Sequence, residues 1–300
     1  MLTGILAGLA AGALWGLVFV APRMLPKGAD GYSSIDLTAG RFGVYGLVAG
    51  LVMLAGWRRR RLPTVRQALT ALLLSVLGFT GYYLLLVLAI NDAGTEVPAL
   101  MIGTIPLWVM LLGKPHGLRW SALLPGLVLT VAGLLLMVDA TQGLSDFPAP
   151  NFRRGMAWVT ASLVCWTVFA LLNSAWLKRH PEVNATDWAN WLGVATGLGA
   201  LLMWLAAGSG SAALLAREDF SRFALLSVLT GLGSAWLATI LWNLASQRLS
   251  ASLCGQLIVS ETIFALLYSF AWDRHWPSLA QAIACGLFAL GIVASIRAHR

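Results

Sequence analysis

Charge is scarce in this chain: 11% of its 300 residues are charged, where a soluble globular domain carries about 25%. A surface so poor in charge cannot be solvated by water, so much of it must face lipid. Cysteine is scarce too. Cys165, Cys254 and Cys285 all fall inside apolar segments, and no close Cys/His set is present, which excludes a disulfide scaffold or a zinc centre. His116, His180, His275 and His299 fall in loops or at the tail, so no metal site is expected. There is no P-loop, so ATP is not the direct energy source. No Ser–His–Asp set or cofactor motif is legible, and neither catalytic residues nor a cofactor are expected. The apolar runs are continuous rather than alternating at period two, which excludes a β-barrel.

What is there is apolar and rich in glycine: 59% hydrophobic residues and 31 glycines. A helix needs about 20 apolar residues to cross the hydrocarbon core. Ten such runs are legible, at 3–25, 34–57, 67–91, 94–113, 119–139, 153–177, 186–207, 222–246, 250–272 and 277–297. The first lacks a basic leader and reads as a permanent helix, not a signal peptide. The segment Asn91-Asp92-Ala93-Gly94 reads as a tight helical-hairpin turn. The fold class is therefore an all-α, multi-pass membrane protein. The formal charge of +8 lies between the apolar runs, where topology and anionic lipid head groups account for it. No nucleic-acid motif accompanies it; the expected partners are the bilayer and a small molecule, with the chain a monomer or homodimer.

Lys and Arg in the loops set orientation. Twelve lie on the side of the termini: Arg58, Arg59, Arg60, Arg61, Arg66, Lys114, Arg119, Lys178, Arg179, Arg248, Arg297 and Arg300. Seven lie opposite: Arg23, Lys27, Arg153, Arg154, Arg217, Arg222 and Arg274. Both termini are predicted to be cytoplasmic. The longest connection, 140–152, divides the chain into five-span halves, 1–139 and 153–300. An odd number of spans makes the second half enter from the opposite side, so any duplication is an inverted repeat. A shift of 151 pairs Gly4 with Gly155, Ala10 with Ala161, Trp15 with Trp166, Lys27 with Lys178 and Asp36 with Asp187. A shift of 156 sets Pro106 over Thr262.

Several motifs add to this. Span one reads Gly4 through Trp15-Gly16-Leu17-Val18-Phe19. Span two has Ala39-Gly40-Arg41-Phe42, span four Thr104-Ile105-Pro106-Leu107, span eight Leu241-Trp242-Asn243-Leu244-Ala245 and span nine Ser260-Glu261-Thr262. Span five has Pro125-Gly126 and Gly133, and span ten Gly286 and Gly291. In order and spacing this pattern resembles the drug/metabolite transporter superfamily and, within it, the EamA-type ten-helix exporters. A narrower resemblance is to the bacterial aromatic amino-acid exporters, through Gly81-Tyr82-Tyr83 and Leu124-Pro125-Gly126-Leu127; the aromatic cluster those proteins carry before the span-four proline is replaced by Ile102-Gly103-Thr104-Ile105. The resemblance implies ten helices in two inverted halves around a central cavity, in a bacterial cytoplasmic membrane. It also implies that the halves rock to export small metabolites by alternating access.

Individual residues sharpen this. Glu261 is the only carboxylate near mid-membrane, roughly 16 Å deep at about 1.5 Å per residue. A carboxylate there contacts a cationic group, exchanges a proton or bonds neighbouring helices. Arg41 is a buried charge that either attracts a substrate carboxylate, pairs with Asp36 or Glu96, or snorkels. Trp15 and Trp166 are central and could sandwich a substrate ring. Tyr82, Trp236, Trp242 and Asn243 are further central candidates. Pro98 and Pro106 bend span four, as a hinge or a fixed kink. Gly126, Gly133, Gly286 and Gly291 suit close helix approach. Together these predict a secondary transporter for amino acids, aromatic or large apolar ones favoured. Nucleobases, quaternary amines or drugs are the alternative cargo, and a lipid scramblase or intramembrane enzyme the alternative class.

Overall fold

The computed structural model describes residues 1–25, 31–56, 62–93, 96–140, 151–274 and 276–299. Lys27, Arg58–Arg61, most of the 140–152 connection, His275, Arg300 and the side chains of Arg23 and Glu96 lie outside the described residues. In chain order the spans are α1 (Leu2–Phe19), α2 (Ser34–Ala55), α3 (Val65–Ala93), α4 (Glu96–Gly103 and Ile105–Leu112), α5 (Trp120–Met137), α6 (Phe152–Arg179), α7 (Ala185–Ala207), α8 (Phe220–Arg248), α9 (Ala251–Trp272) and α10 (Leu279–Ala298). Among the described residues, all but the interrupted α4 are long and apolar enough to cross a membrane singly. The spans fall where hydropathy predicts them. A short helix, Ser211–Leu215, sits between α7 and α8.

The helix ends follow local chemistry. Ser33, Thr64, Asn184, Ser250 and Ser278 each accept a hydrogen bond from the N–H three residues on. These side chains satisfy donors that a helix start leaves without a partner. Asp36 and Asp187, paired by the internal repeat, hold the same third position of α2 and α7, hydrogen-bonded to Ser33 and Asn184.

Packing also follows the repeat. α2 packs on α7, α5 on α10 and α4 on α9, each helix against its counterpart five spans away; α1 packs on α8 as α6 does on α3. Counterparts run antiparallel, as inversion requires: Asp36 at the start of α2 bonds Ser209 beyond the end of α7, while Ala49 near the end of α2 borders Gly193 near the start of α7. Where these two cross, Gly46 meets Gly197, and a Cβ on Gly46 would lie 2.5 Å from the Gly197 Cα. Backbones this close leave no room for a side chain. α3 and α8 carry π-helical turns at matching places, Val76–Thr80 and Gly231–Leu237. Such turns recur at functional sites, and hydropathy gives no sign of them.

The α5–α10 contact supports three of the four glycine expectations. A Cβ on Gly126 would meet Ser295, one on Gly133 would meet Phe288 and one on Gly291 would meet Thr130, whereas one on Gly286 would meet nothing within 4 Å. Gly286 is thus not a close-approach residue in this fold. Gln256 of α9 ties these helices together. Its amide donates to Thr130 Oγ1 (3.0 Å) and accepts from Ser295 Oγ (2.9 Å), all three fully buried.

At the end opposite the termini, Asn91–Ala93, expected as part of a turn, continue α3 as helix, and Gly94 lies outside the described residues. Asp92 is tied to α6 by a bidentate pair: Arg154 donates to both of its carboxylate oxygens, at 2.6 and 2.7 Å. Nearby, the Tyr32 ring stacks on Phe223 at 4.4 Å, and its hydroxyl donates to Asp219 at 3.2 Å. Burial and this hydrogen bond raise the Tyr32 pKa above the usual phenol value.

Candidate functional site

Burial along α9 changes abruptly at one residue. Every residue from Ser252 to Ser260 is buried; from Glu261 to Trp272 no described residue is. The buried half is held by small residues. Gly4 meets Leu249 and Arg248, Gly8 meets Leu257, Gly12 meets Ser260 and the Glu261 backbone, and Gly16 meets Phe264 and the Ala265 backbone. The four glycines recur every fourth residue, one ridge of α1 laid along α9. α4 closes the same end: Gly255 sits against the Met110 backbone, and Ser252 N–H donates to the Gly113 carbonyl at 3.1 Å. Beyond Ser260 every face of α9 is at least partly accessible, and Glu261 lies at the boundary. Its carboxylate makes no hydrogen bond with any described residue.

An aromatic cluster stands at that level. Trp15 and Trp166 meet edge to face, with centroids 6.4 Å apart at 79°. Trp242 joins them, 5.3 Å from Trp15 and 6.2 Å from Trp166. The two symmetry-paired tryptophans are therefore brought together, but in edge contact; they form a continuous wall rather than the parallel faces of a sandwich. Tyr82, only 8% exposed, belongs to the same core cluster and meets Tyr83 edge to face at 5.1 Å.

Arg41 adjoins this wall. Its guanidinium lies 4.4 Å from the Phe42 ring centroid and 4.7 Å from that of Tyr83. The residue is 8% exposed, and its Nε has no hydrogen-bond partner. Of the partners expected from sequence, Asp36 is committed elsewhere. It accepts from Trp204 Nε1 (3.2 Å), Ser209 N–H (3.0 Å) and the hydroxyls of Ser209 (2.5 Å) and Ser33 (2.8 Å). Tyr83, against Arg41, packs on the same core as Tyr82 and as Ile258 and Ile263 on either side of Glu261 in the chain.

The prolines act on α4 as their chemistry requires. The helix breaks at Thr104, and Pro106 stands in the first turn of its second segment. Proline has no N–H to donate, so the Ile102 carbonyl loses its helical donor. The Thr104 hydroxyl donates back to Met101 O (2.7 Å) and accepts from Trp108 Nε1 (3.2 Å). Pro98 is buried in the first segment. α9, with Thr262 in place of the proline, runs unbroken.

Two candidates fall outside the cluster. Asn243 is fully buried between α6 and α8 and accepts from Asn173 Nδ2 at 3.0 Å; Asn173 in turn accepts from Trp188 Nε1 at 2.7 Å. Trp236 donates to Asn190 Oδ1 at 2.8 Å and packs against a second core with Phe42 and Tyr45. Trp242, expected to be central, joins the wall, and Tyr83, not among the candidates weighed from sequence, packs against the same core and against Arg41. Two apolar grooves, about 520 and 550 Å³, are lined by α4–α5 and by α2–α7 residues respectively, and neither is lined by Glu261, Arg41 or the tryptophans.

Comparison with known proteins agrees with this architecture. Residues 2–139 match the EamA-like transporter family. The chain is 31% identical over 312 residues to the inner membrane protein YtfF of Escherichia coli (strain K12), covering 99% of this chain and 96% of that protein. It also superposes on a protein of known crystal structure with a TM-score of 0.76 at 22% identity, covering 98% of each chain. The ten-span fold, the motifs along it and the full-length relative converge: this chain belongs to the EamA-like transporters of the drug/metabolite transporter superfamily.

Proposed function

We propose that the protein is a secondary transporter that exports amino acids, aromatic or large apolar ones favoured, from the cytoplasm of a bacterial cell by alternating access. The observation that carries this reading is a coincidence at one depth. The mid-membrane carboxylate Glu261, the Trp15–Trp166–Trp242 wall and the point where packing around α9 loosens lie together. An apolar side chain finds a flat surface there, and a charged head group finds countercharge. The halves 1–139 and 153–300 are the units that rock, joined through 140–152, with Pro106 and Pro98 shaping the α4 arm. The inner-membrane relative and the excess of Lys and Arg on the terminal side support an inner-membrane location with both termini cytoplasmic. In that orientation the loosely packed end faces outward.

The test is counterflow in proteoliposomes preloaded with unlabelled amino acid and offered labelled aromatic and non-aromatic ones outside. Saturable accumulation, greater for the aromatic set, is expected. Absence of counterflow for every amino acid, by protein that elutes as a single folded species, overturns the substrate assignment and leaves nucleobases and organic cations to be screened.

A further inference from the structure

Two ionisable groups of opposite sign inside a bilayer need compensation, and this fold provides it incompletely. Arg41 has lost Asp36, its nearest acidic neighbour on the helix, to Ser33, Ser209 and Trp204. It rests against the Phe42 and Tyr83 rings, at 4.4 and 4.7 Å, with its Nε unpartnered. Ring faces attract a guanidinium but accept no directed, charge-assisted hydrogen bond as a carboxylate would. Glu261 is the converse case. The residue is partly accessible, at the lip of the loosened region, and its carboxylate takes no hydrogen bond from any described residue. Tyr83, on which Arg41 rests, and Ile258 and Ile263, on either side of Glu261 in the chain, pack in one core with Tyr82, yet no ion pair joins the two groups among the described residues. They stand on different helices, Arg41 on α2 and Glu261 on α9, and Tyr83 of α3, against Arg41, meets Tyr82 edge to face at 5.1 Å. The fold thus holds two unlike charges near one another with their hydrogen-bonding groups unspent.

We infer that Arg41 and Glu261 are the two poles of a zwitterion site, Arg41 receiving the carboxylate and Glu261 the ammonium of a free α-amino acid. The inference rests on the amino-acid reading above and narrows it to molecules with both ends free. A zwitterion carries its two charges one carbon apart and neutralises both poles at once. A singly charged ligand satisfies one pole and leaves the other buried without a partner, which costs more than the lost contact alone. An amine without its carboxylate strands Arg41; an N-acylated amino acid strands Glu261. The side chain of the amino acid then points to the tryptophan wall, which tolerates variation because flat apolar surfaces discriminate weakly between similar groups.

The experiment uses the full-length protein in liposomes and the labelled amino acid that gives the strongest counterflow. Four unlabelled competitors share its side chain: the free amino acid, its decarboxylated amine, its methyl ester and its N-acetyl derivative. Each of the three singly charged analogues is expected to compete at least roughly tenfold more weakly than the free amino acid. Competition by any of them within about threefold of the parent overturns the zwitterion site while leaving amino-acid transport intact. Failure of the free amino acid itself tells against the transport reading instead, and the site falls with it.

Variants add a crossed pattern that a structural role would not produce. Arg41→Gln narrows the gap between the amino acid and its amine, and Glu261→Gln narrows the gap between the amino acid and its N-acetyl form. Arg41→Lys keeps the wild-type order. Equal weakening of all competitors in both Gln variants overturns the assignment of poles. Should a variant fail to fold, the wild-type competitor panel still decides.

Discussion

The terminal end and the opposite end of the bundle are built from equally apolar helices, yet one is closed and the other loosely packed. At the terminal end α1 and α4 meet the α9 backbone through Gly12, Gly113 and Gly255, and Gly4 and Gly8 of α1 admit the Leu249 and Leu257 side chains. Stacked rings, Trp176 on Trp188 at 3.6 Å and on His180 at 4.2 Å, join α6 to α7 there, and Gln247 donates to the Val183 carbonyl at 2.9 Å. At the opposite end α9 is accessible on all faces past Glu261, and α4 is broken at Thr104. The difference does not come from hydrophobicity. In lipid there is no hydrophobic force between helices, so closeness is set by the size of the residues that meet. Four glycines on one face of α1 permit contact with α9. The counterpart positions on α6 after Gly155 hold Val159, Leu163 and Thr167. The pseudo-symmetry of the halves is thus broken where it matters for which end is shut.

The largest effect should come from wedging the closed end. Gly12→Leu drives a side chain into Ser260 and the Glu261 backbone. Counterflow is expected to be abolished and the unfolding temperature to drop, since overpacking costs about 1–3 kcal/mol. Normal transport by this variant would show that α1 and α9 need not stay in contact. Next comes the boundary residue. Glu261→Gln should elute and melt like the parent, because the carboxylate supports no described contact, while counterflow falls at least roughly tenfold; wild-type transport would remove Glu261 from the site.

The contrast along α9 can be read directly by thiol labelling in a variant lacking Cys165, Cys254 and Cys285. A cysteine replacing the exposed Ala271 should react with a polar, membrane-impermeant reagent, and one replacing the buried Ser252 should not. Equal reactivity would mean that the two halves of α9 do not differ in access. The smallest effect is expected on α10. Gly286→Leu projects into open space and should change stability by less than about 0.5 kcal/mol. Gly133→Leu, against Phe288 across the same interface, should be clearly destabilising in thermal melts. Similar melting temperatures would place the α5–α10 interface elsewhere.

Hydropathy alone located the spans to within a few residues, because a bilayer imposes a length and an apolar composition on any helix that crosses it. Trp15 and Trp166, and Asp36 and Asp187, stood out as pairs at a constant shift of 151; the first pair is in ring contact and the second holds like capping positions. Glu261 stood out because carboxylates are costly at that depth. Trp242 was among the central candidates, yet its contact with Trp15 and Trp166, and that of Tyr83 with Arg41, could not be read from sequence. A helix presents its residues to several neighbours, and which neighbour each meets depends on rotation about the axis. The π turns shift that rotation part-way along α3 and α8 without any signal in composition. Asn243 and Trp236 show the reverse: polar or aromatic residues at the right depth, turned by the same packing into interhelical hydrogen bonds.

The sequence by itself determined the membrane class, the ten spans and the few residues whose charge is out of place in lipid. It did so because the cost of burying charge and backbone in hydrocarbon is local and depends on residue type. Only the tertiary structure decided that Asp36 is spent before Arg41 can use it, that three tryptophans make one wall, and that α9 loses its cover at Glu261. Those outcomes depend on which faces of separate helices meet, and contacts between residues far apart in the chain are fixed by the shapes that fit together.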